Sequence, residues 1–129
     1  MNKSLLLDTC ALLWLGNSSV RFSPAAIERI ETAPYLYASP ISLWEIALKW
    51  RLGKLQIQMI PEKWFAALKA EYGIIMLPLD ESVMNKAAAL PLIHKDPADR
   101  FIIATALLWD IQVVTGDHRF SVYGVSTVL

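Results

Sequence analysis

Cysteine is nearly absent from this sequence. The 129-residue chain has one, Cys10. No internal disulfide can form, so a reducing, cytoplasmic setting is expected. Net charge is absent too, because twelve Lys and Arg balance twelve Asp and Glu. No broad basic field announces a nucleic-acid binder, although a local basic patch can still meet phosphates. Long apolar runs are also missing. A spanning helix needs about 20 apolar residues. The longest stretch here, Phe101 to Trp109, is broken by Thr105 and far too short, so no membrane partner is expected. The N-terminus carries Lys3 and then leucines, as a signal peptide would. Asp8 interrupts that region and no small-residue cleavage site follows, so it reads as a buried strand and helix.

What is present describes one folded domain over residues 1–129. The chain is 55% hydrophobic and 19% charged, which excludes disorder. A chain of this length buries a core without staples. Its mean hydropathy of +0.40, with five Trp, points to an apolar surface that a partner covers.

Short apolar runs alternate with helix-like segments. Strands are predicted at Ser4–Leu7, Tyr35–Ala38, Ile74–Leu77, Gln112–Thr115 and Val125–Leu129. Helices are predicted over Thr9–Leu15, from the Ser23-Pro24 cap to Thr32, and from Ser39-Pro40 or Ser42 to Leu52. Further helices run from Pro61 to Tyr72, stopped by Gly73, over Asp80–Leu90, and from the Asp96-Pro97 cap to Trp109. Alternation of this kind argues for an α/β fold with a mainly parallel sheet of about five strands. Such sheets bind ligands outside the C-terminal ends of their strands.

Four carboxylates fall where solvated helix faces do not. Asp8 follows Leu5-Leu6-Leu7, and Asp117 follows Val113-Val114-Thr115-Gly116. Glu45 is hemmed in by Ile41-Ser42-Leu43-Trp44 and Ile46-Ala47-Leu48, and Asp99 opens a very apolar helix. Each also has a purely structural reading. Asp8 caps the next helix, Ser42 and Glu45 form a capping box, Asp96 and Asp99 suit a helix N-terminus, and Gly116-Asp117 makes a turn. Jointly they suggest converging acids whose repulsion a divalent cation would relieve. Oxygen-only ligands suit Mg²⁺ or Mn²⁺. Zinc is not expected, because His94, His118 and Cys10 are scattered.

These pieces, in this order, are recognisable. Leu5-Leu6-Leu7-Asp8-Thr9 is followed by Ser42-Leu43-Trp44-Glu45-Ile46-Ala47 and Gly53-Lys54-Leu55. His94-Lys95-Asp96-Pro97-Ala98-Asp99-Arg100 with Ile102-Ile103-Ala104-Thr105-Ala106, then Val114-Thr115-Gly116-Asp117 with Phe120, complete the set. Over nearly its full length the chain resembles a PIN-domain ribonuclease of the VapC-like toxin branch of toxin–antitoxin pairs. The resemblance implies a three-layer α/β sandwich around a mainly parallel sheet. It implies Asp8, Glu45 and Asp99 as metal ligands, with Asp117 coordinating or positioning a second metal or its waters. Thr9 and Thr115 would orient carboxylates, and Asp96, a helix cap first, also falls in the motif. It further implies Mg²⁺ or Mn²⁺ as cofactor, RNA as substrate, a small antitoxin protein as partner and a homodimer. Hydrolysis would leave a 5′-phosphate and a 3′-hydroxyl. One departure is Cys10, where many relatives carry a polar side chain.

Other residues have two readings each. Lys49, Arg51 and Lys54 form either a solvated helix end or a phosphate-contacting rim. Arg100 would bind RNA phosphate or a carboxylate. His94, before the Asp96 cap, and His118, after Asp117, read as loop polar residues or as substrate contacts. The competing functions are a housekeeping PIN nuclease in RNA processing and a catalytically silent PIN-like binding module. A phosphotransfer domain with Asp8 as nucleophile would want a second Asp where Cys10 stands.

Overall fold

The computed structural model describes residues 3–17 and 22–129. The chain begins with β1 (Leu5–Leu7), α1 (Thr9–Gly16), α2 (Pro24–Thr32), β2 (Leu36–Ala38), α3 (Pro40–Arg51) and α4 (Pro61–Tyr72). It continues with β3 (Ile75–Met76), α5 (Glu81–Ala89), α6 (Pro97–Trp109), β4 (Gln112–Val114), α7 (Arg119–Val122) and β5 (Thr127–Val128). The strands form one sheet in the order β3-β2-β1-β4-β5, and every pair is parallel.

β1 is the central strand, and all three of its leucines are fully buried. Side chains alternate across a strand. Leu5 and Leu7 therefore enter one core, with Ala26 and Ile30 of α2, Ile46 of α3 and Trp64, Phe65 and Leu68 of α4. Leu6 enters the other, with Val83 of α5, Ile102, Ile103 and Ala106 of α6, and Phe120 of α7. Two helical layers thus sandwich the sheet. A buried run of leucines is what a strand covered on both faces requires.

Local signals set most of the boundaries. Ser23, Ser39, Asp80 and Asp96 each accept a backbone N–H as N-caps. Gly73 ends α4 in the left-handed conformation, φ 66°. Two readings need correction. The capping box at Ser42 does not form, because the cap is Ser39 and the Ser42 hydroxyl is committed elsewhere. The short α7 lies where no helix is predicted. β3 and β5 are also shorter than expected.

The strand order reverses between β1 and β4: the chain after β1 goes on to β2 on one side, and the chain after β4 goes on to β5 on the other. In open parallel sheets that point forms a crevice beyond the strands' C-terminal ends. Asp8 follows β1 directly and Asp117 stands three residues past β4. The topology therefore delivers both acids to one place. Among the described residues no helix is long and apolar enough to cross a membrane.

Candidate active site

The crevice is a cleft of about 590 Å³ lined by Asp8, Glu45, Asp96, Asp99 and Asp117, with Lys49, His118 and Arg119 also in its wall. All four predicted acids therefore meet there. A larger cavity near Lys3, Arg29 and Gln112 collects no such cluster.

Asp8 is 4% exposed. It is both cap and site residue, because its Oδ1 accepts the Ala11 amide at 2.8 Å. Burial pushes its carboxyl up from 3.8 to about 6, and the charges of Asp117 and Glu45 add to this. Hydrogen bonds from the Thr115 hydroxyl and the Ala11 amide partly oppose it. Thr115 also accepts the Asp117 amide at 3.0 Å. One hydroxyl at the end of β4 thus links the two acid-bearing turns.

Asp99 sits in the first turn of α6. Burial pushes it up to about 7, with Asp96, Asp8 and Glu45 repelling its charge and His94 opposing the rise. Asp96 itself caps α6 through the Ala98 amide at 2.9 Å. Glu45 projects from α3 and pairs with Lys49 at 3.3 Å, one turn on.

Asp117 differs from the other acids. Burial works against its charge, but Arg119 outweighs it and holds the carboxyl below its ordinary value. Its Oδ1 accepts Arg119 N and Nε at 2.9 and 3.1 Å, and its Oδ2 accepts Arg119 Nη2 at 3.0 Å.

Sequence reasoning read His94 as a loop residue or a substrate contact and did not place it against the acids. It is 2% exposed, and its Nε2 lies 2.9 Å from Asp99 Oδ2 and 3.1 Å from Asp117 Oδ2. Its ring packs edge-on against Phe120. His94, Asp99 and Asp117 are grouped closely enough to meet one ion. The only sequence signal was a histidine two residues before a helix cap.

Two further expectations are corrected. The Thr9 hydroxyl bonds Ser42 at 2.9 Å, so it ties α1 to α3 and does not orient a carboxylate. Arg100 touches neither phosphate cleft nor carboxylate among the described residues. Its guanidinium donates to the Pro91, His94, Ala87 and Leu90 carbonyls at 2.8, 3.2, 2.7 and 2.9 Å. It fastens the Leu90–His94 loop to α6. Of the basic trio, only Lys49 lines the cleft.

The donor chemistry suits a hard divalent cation: Asp8, Glu45 and Asp99 offer carboxylate oxygen at one cleft, where burial and, secondarily, repulsion between the acids raise Asp8 and Asp99.

Comparison with known proteins bears on the family and the fold. Residues 5–125 match the model of the PIN domain. The chain is 34% identical over 117 residues to Ribonuclease VapC22 of Mycobacterium tuberculosis, covering 90% of this chain and 88% of that protein. Among solved structures, VapBC2 from Rickettsia felis, bound to a DNA fragment from its promoter, superposes with TM-score 0.69 at 13% identity, covering 96% of each chain. FitAcB from Neisseria gonorrhoeae gives TM-score 0.63 at 20% identity, covering 97% of this chain and 96% of that one. With its acids, its all-parallel sheet and a match over nearly its whole length, the chain belongs to the PIN domain family.

Proposed function

We propose that the protein is a divalent-metal-dependent endoribonuclease and the toxin of a toxin–antitoxin pair. The observation that carries this reading is the gathering of Asp8, Glu45, Asp99 and Asp117 in one cleft, two of them with carboxyls pushed well above their usual range. The relative named a ribonuclease supports RNA as the substrate.

Asp8, Glu45 and Asp99 would hold Mg²⁺ or Mn²⁺. Bound there, the ion supplies Lewis acidity toward water and phosphate oxygen. The chain's own residues do the rest. Asp8 is fixed by Thr115 and the Ala11 amide, so its free lone pairs face the cleft. Glu45 is held by Lys49, whose half-exposed ammonium also lies at the cleft wall, where a phosphodiester would pass. The exposed Arg119 and His118 form the opposite rim. Phosphodiester hydrolysis in this frame leaves a 5′-phosphate and a 3′-hydroxyl, with no covalent enzyme intermediate.

A small antitoxin is the proposed protein partner, and a homodimer the proposed assembly. Trp44, Leu48 and Leu52 are exposed on or just after the helix that carries Glu45, which gives either partner an apolar surface beside the cleft. The single free thiol, exposed at Cys10, suits the cytoplasm.

The test is cleavage of mixed single-stranded and structured RNAs with Mg²⁺ or Mn²⁺, beside an EDTA lane and an Asp8→Asn variant. Cleavage lost in both controls supports the reading. Cleavage by the wild type that survives EDTA sinks the carboxylate model.

A further inference from the structure

Asp117 lines the cleft, yet the chain already engages both of its oxygens. Oδ1 accepts the Arg119 backbone N–H at 2.9 Å and Arg119 Nε at 3.1 Å. Oδ2 accepts Arg119 Nη2 at 3.0 Å and bonds His94 Nε2 at 3.1 Å. A carboxylate has about four lone-pair positions. All of them are taken at Asp117, two by a single guanidinium.

Asp117 also belongs, with His94 and Asp99, to the group whose atoms lie close enough to meet one ion. A cation and the Arg119 guanidinium therefore draw on the same carboxylate. The guanidinium is the weaker claimant. Its side chain is 57% exposed, and an exposed ion pair is worth only a factor of about 2 to 5. A divalent cation brings twice the charge and has Asp99 within reach as well.

The displaced fork has a second use. Arg119 stands in the wall of the cleft. A guanidinium that grips a carboxylate at two points grips a phosphate in the same way. The other permanent cation lining the cleft, Lys49, is paired with Glu45.

We propose that Arg119 is a substrate-phosphate residue held in reserve on Asp117: it leaves the carboxylate when a divalent cation occupies the acids, and its freed fork then binds the phosphodiester of the RNA. The proposal rests on the metal-dependent nuclease reading above and adds an order to it, cation first and phosphate second. In the metal-free cleft the fork stays on Asp117, where Asp99 and Asp96 also attract its charge. RNA then meets acids that repel it and an arginine that is already engaged.

The test uses the full chain and Mg²⁺, a diamagnetic ion that keeps nuclear magnetic resonance signals sharp. The Arg119 Nε–H signal is assigned by its absence in Arg119→Ala. In metal-free protein this proton should be protected from exchange with water. Saturating Mg²⁺ should remove the protection, and EDTA should restore it. Uridine 5′-monophosphate, a phosphate with no internucleotide bond to cleave, should move the signal in the Mg²⁺-bound protein and not in the metal-free one. Calorimetric titration with Mg²⁺ alone should show about 2- to 5-fold tighter binding in Arg119→Ala, because the competitor is gone. An Nε–H that stays protected in Mg²⁺, a nucleotide that does not move it there, or unchanged Mg²⁺ affinity in Arg119→Ala each overturns the proposal while leaving the nuclease reading standing. A folded wild type that binds no Mg²⁺ overturns both.

Discussion

The Thr9 and Ser42 hydroxyls face each other at 2.9 Å, both buried, across 33 residues of sequence. Thr9 directly follows the site acid Asp8, and Ser42 lies three residues before Glu45 on α3. The bond therefore sets the spacing between two acids without touching either. Ser42→Ala would strand the Thr9 hydroxyl in the interior and should cost about 1–3 kcal/mol. Adding Thr9→Val removes the stranded group and should recover part of that stability, but not the cleavage rate, because the α1–α3 registration is still lost. A double-mutant cycle in urea, with kcat measured in parallel, checks both halves. A fully additive cycle would mean that the bond couples nothing.

The metal-free protein should become less stable as pH rises. Asp8 and Asp99 have carboxyls raised above their unfolded values, to about 6 and about 7. Between about pH 4 and 7 the unfolded chain has released these protons while the native chain keeps them, so stability falls across that window and levels off above it. For Asp8 the shift corresponds to about 2–3 kcal/mol. Asp117, held below its ordinary value, contributes in the opposite sense and only at more acidic pH. Asp8→Asn keeps the N-cap acceptor and removes the charge. It should raise the melting temperature of metal-free protein at pH 8, while abolishing cleavage. Mg²⁺ or Mn²⁺ should stabilise the wild type at pH 8 and do much less for this variant. A metal-free wild type that gains stability from pH 5 to pH 8 would contradict the assignment.

The contrast between legible and illegible parts has a physical origin. The Ser23-Pro24 and Asp96-Pro97 caps, Gly73 and the β1 leucines act through neighbours within a turn, so their signals sit in consecutive letters. Asp8 and Asp117 stood out because each follows a buried strand, at the edge where a parallel sheet opens its crevice, although Asp8 also caps α1 and Asp117 also accepts a backbone N–H within its turn. His94 was not. Its partner Asp117 comes within reach only after β4 returns beside β1, and nothing local marks that. Thr9 and Arg100 were misread for a related reason. Both flank a site acid in sequence, but Thr9 points at α3 and Arg100 follows the helical turn away from Asp99. The short α7 has one turn, too little for a periodic pattern to register.

Arg100 should behave as a structural residue. Its fork donates to four backbone carbonyls, and Lys cannot reproduce that geometry. Arg100→Lys should lower stability by about 2–4 kcal/mol, counting the orphaned carbonyls of a partly buried loop. The salt dependence of RNA binding should not change, because a residue that makes no phosphate contact releases no counterion. Lys49→Ala should do the reverse, with a shallower salt slope and little loss of stability. Binding titrations across a salt series, paired with urea melts, separate the two. A reduced salt slope in Arg100→Lys would restore the phosphate role that its carbonyl contacts argue against.

Gly16 closes α1 against the side chain of Trp64, and only a hydrogen fits between them. A Cβ built on Gly16 would lie 2.3 Å from Trp64 Cζ2 and 2.9 Å from Cε2. Trp64 is 4% exposed and belongs to the core on the Leu5 and Leu7 face, so its indole has little room to retreat. On helix propensity alone Gly16→Ala should stabilise, by something under 1 kcal/mol. The clash acts against it and is larger, since overpacking a filled core costs about 1–3 kcal/mol. The net expectation is destabilisation, carried by displacement of α4 from α1. Trp64→Leu opens the contact, so adding it to Gly16→Ala should reverse the sign of the alanine's effect. Chemical denaturation of the four proteins in that cycle decides the matter. An alanine that stabilises the wild-type background would mean that α4 yields at no cost.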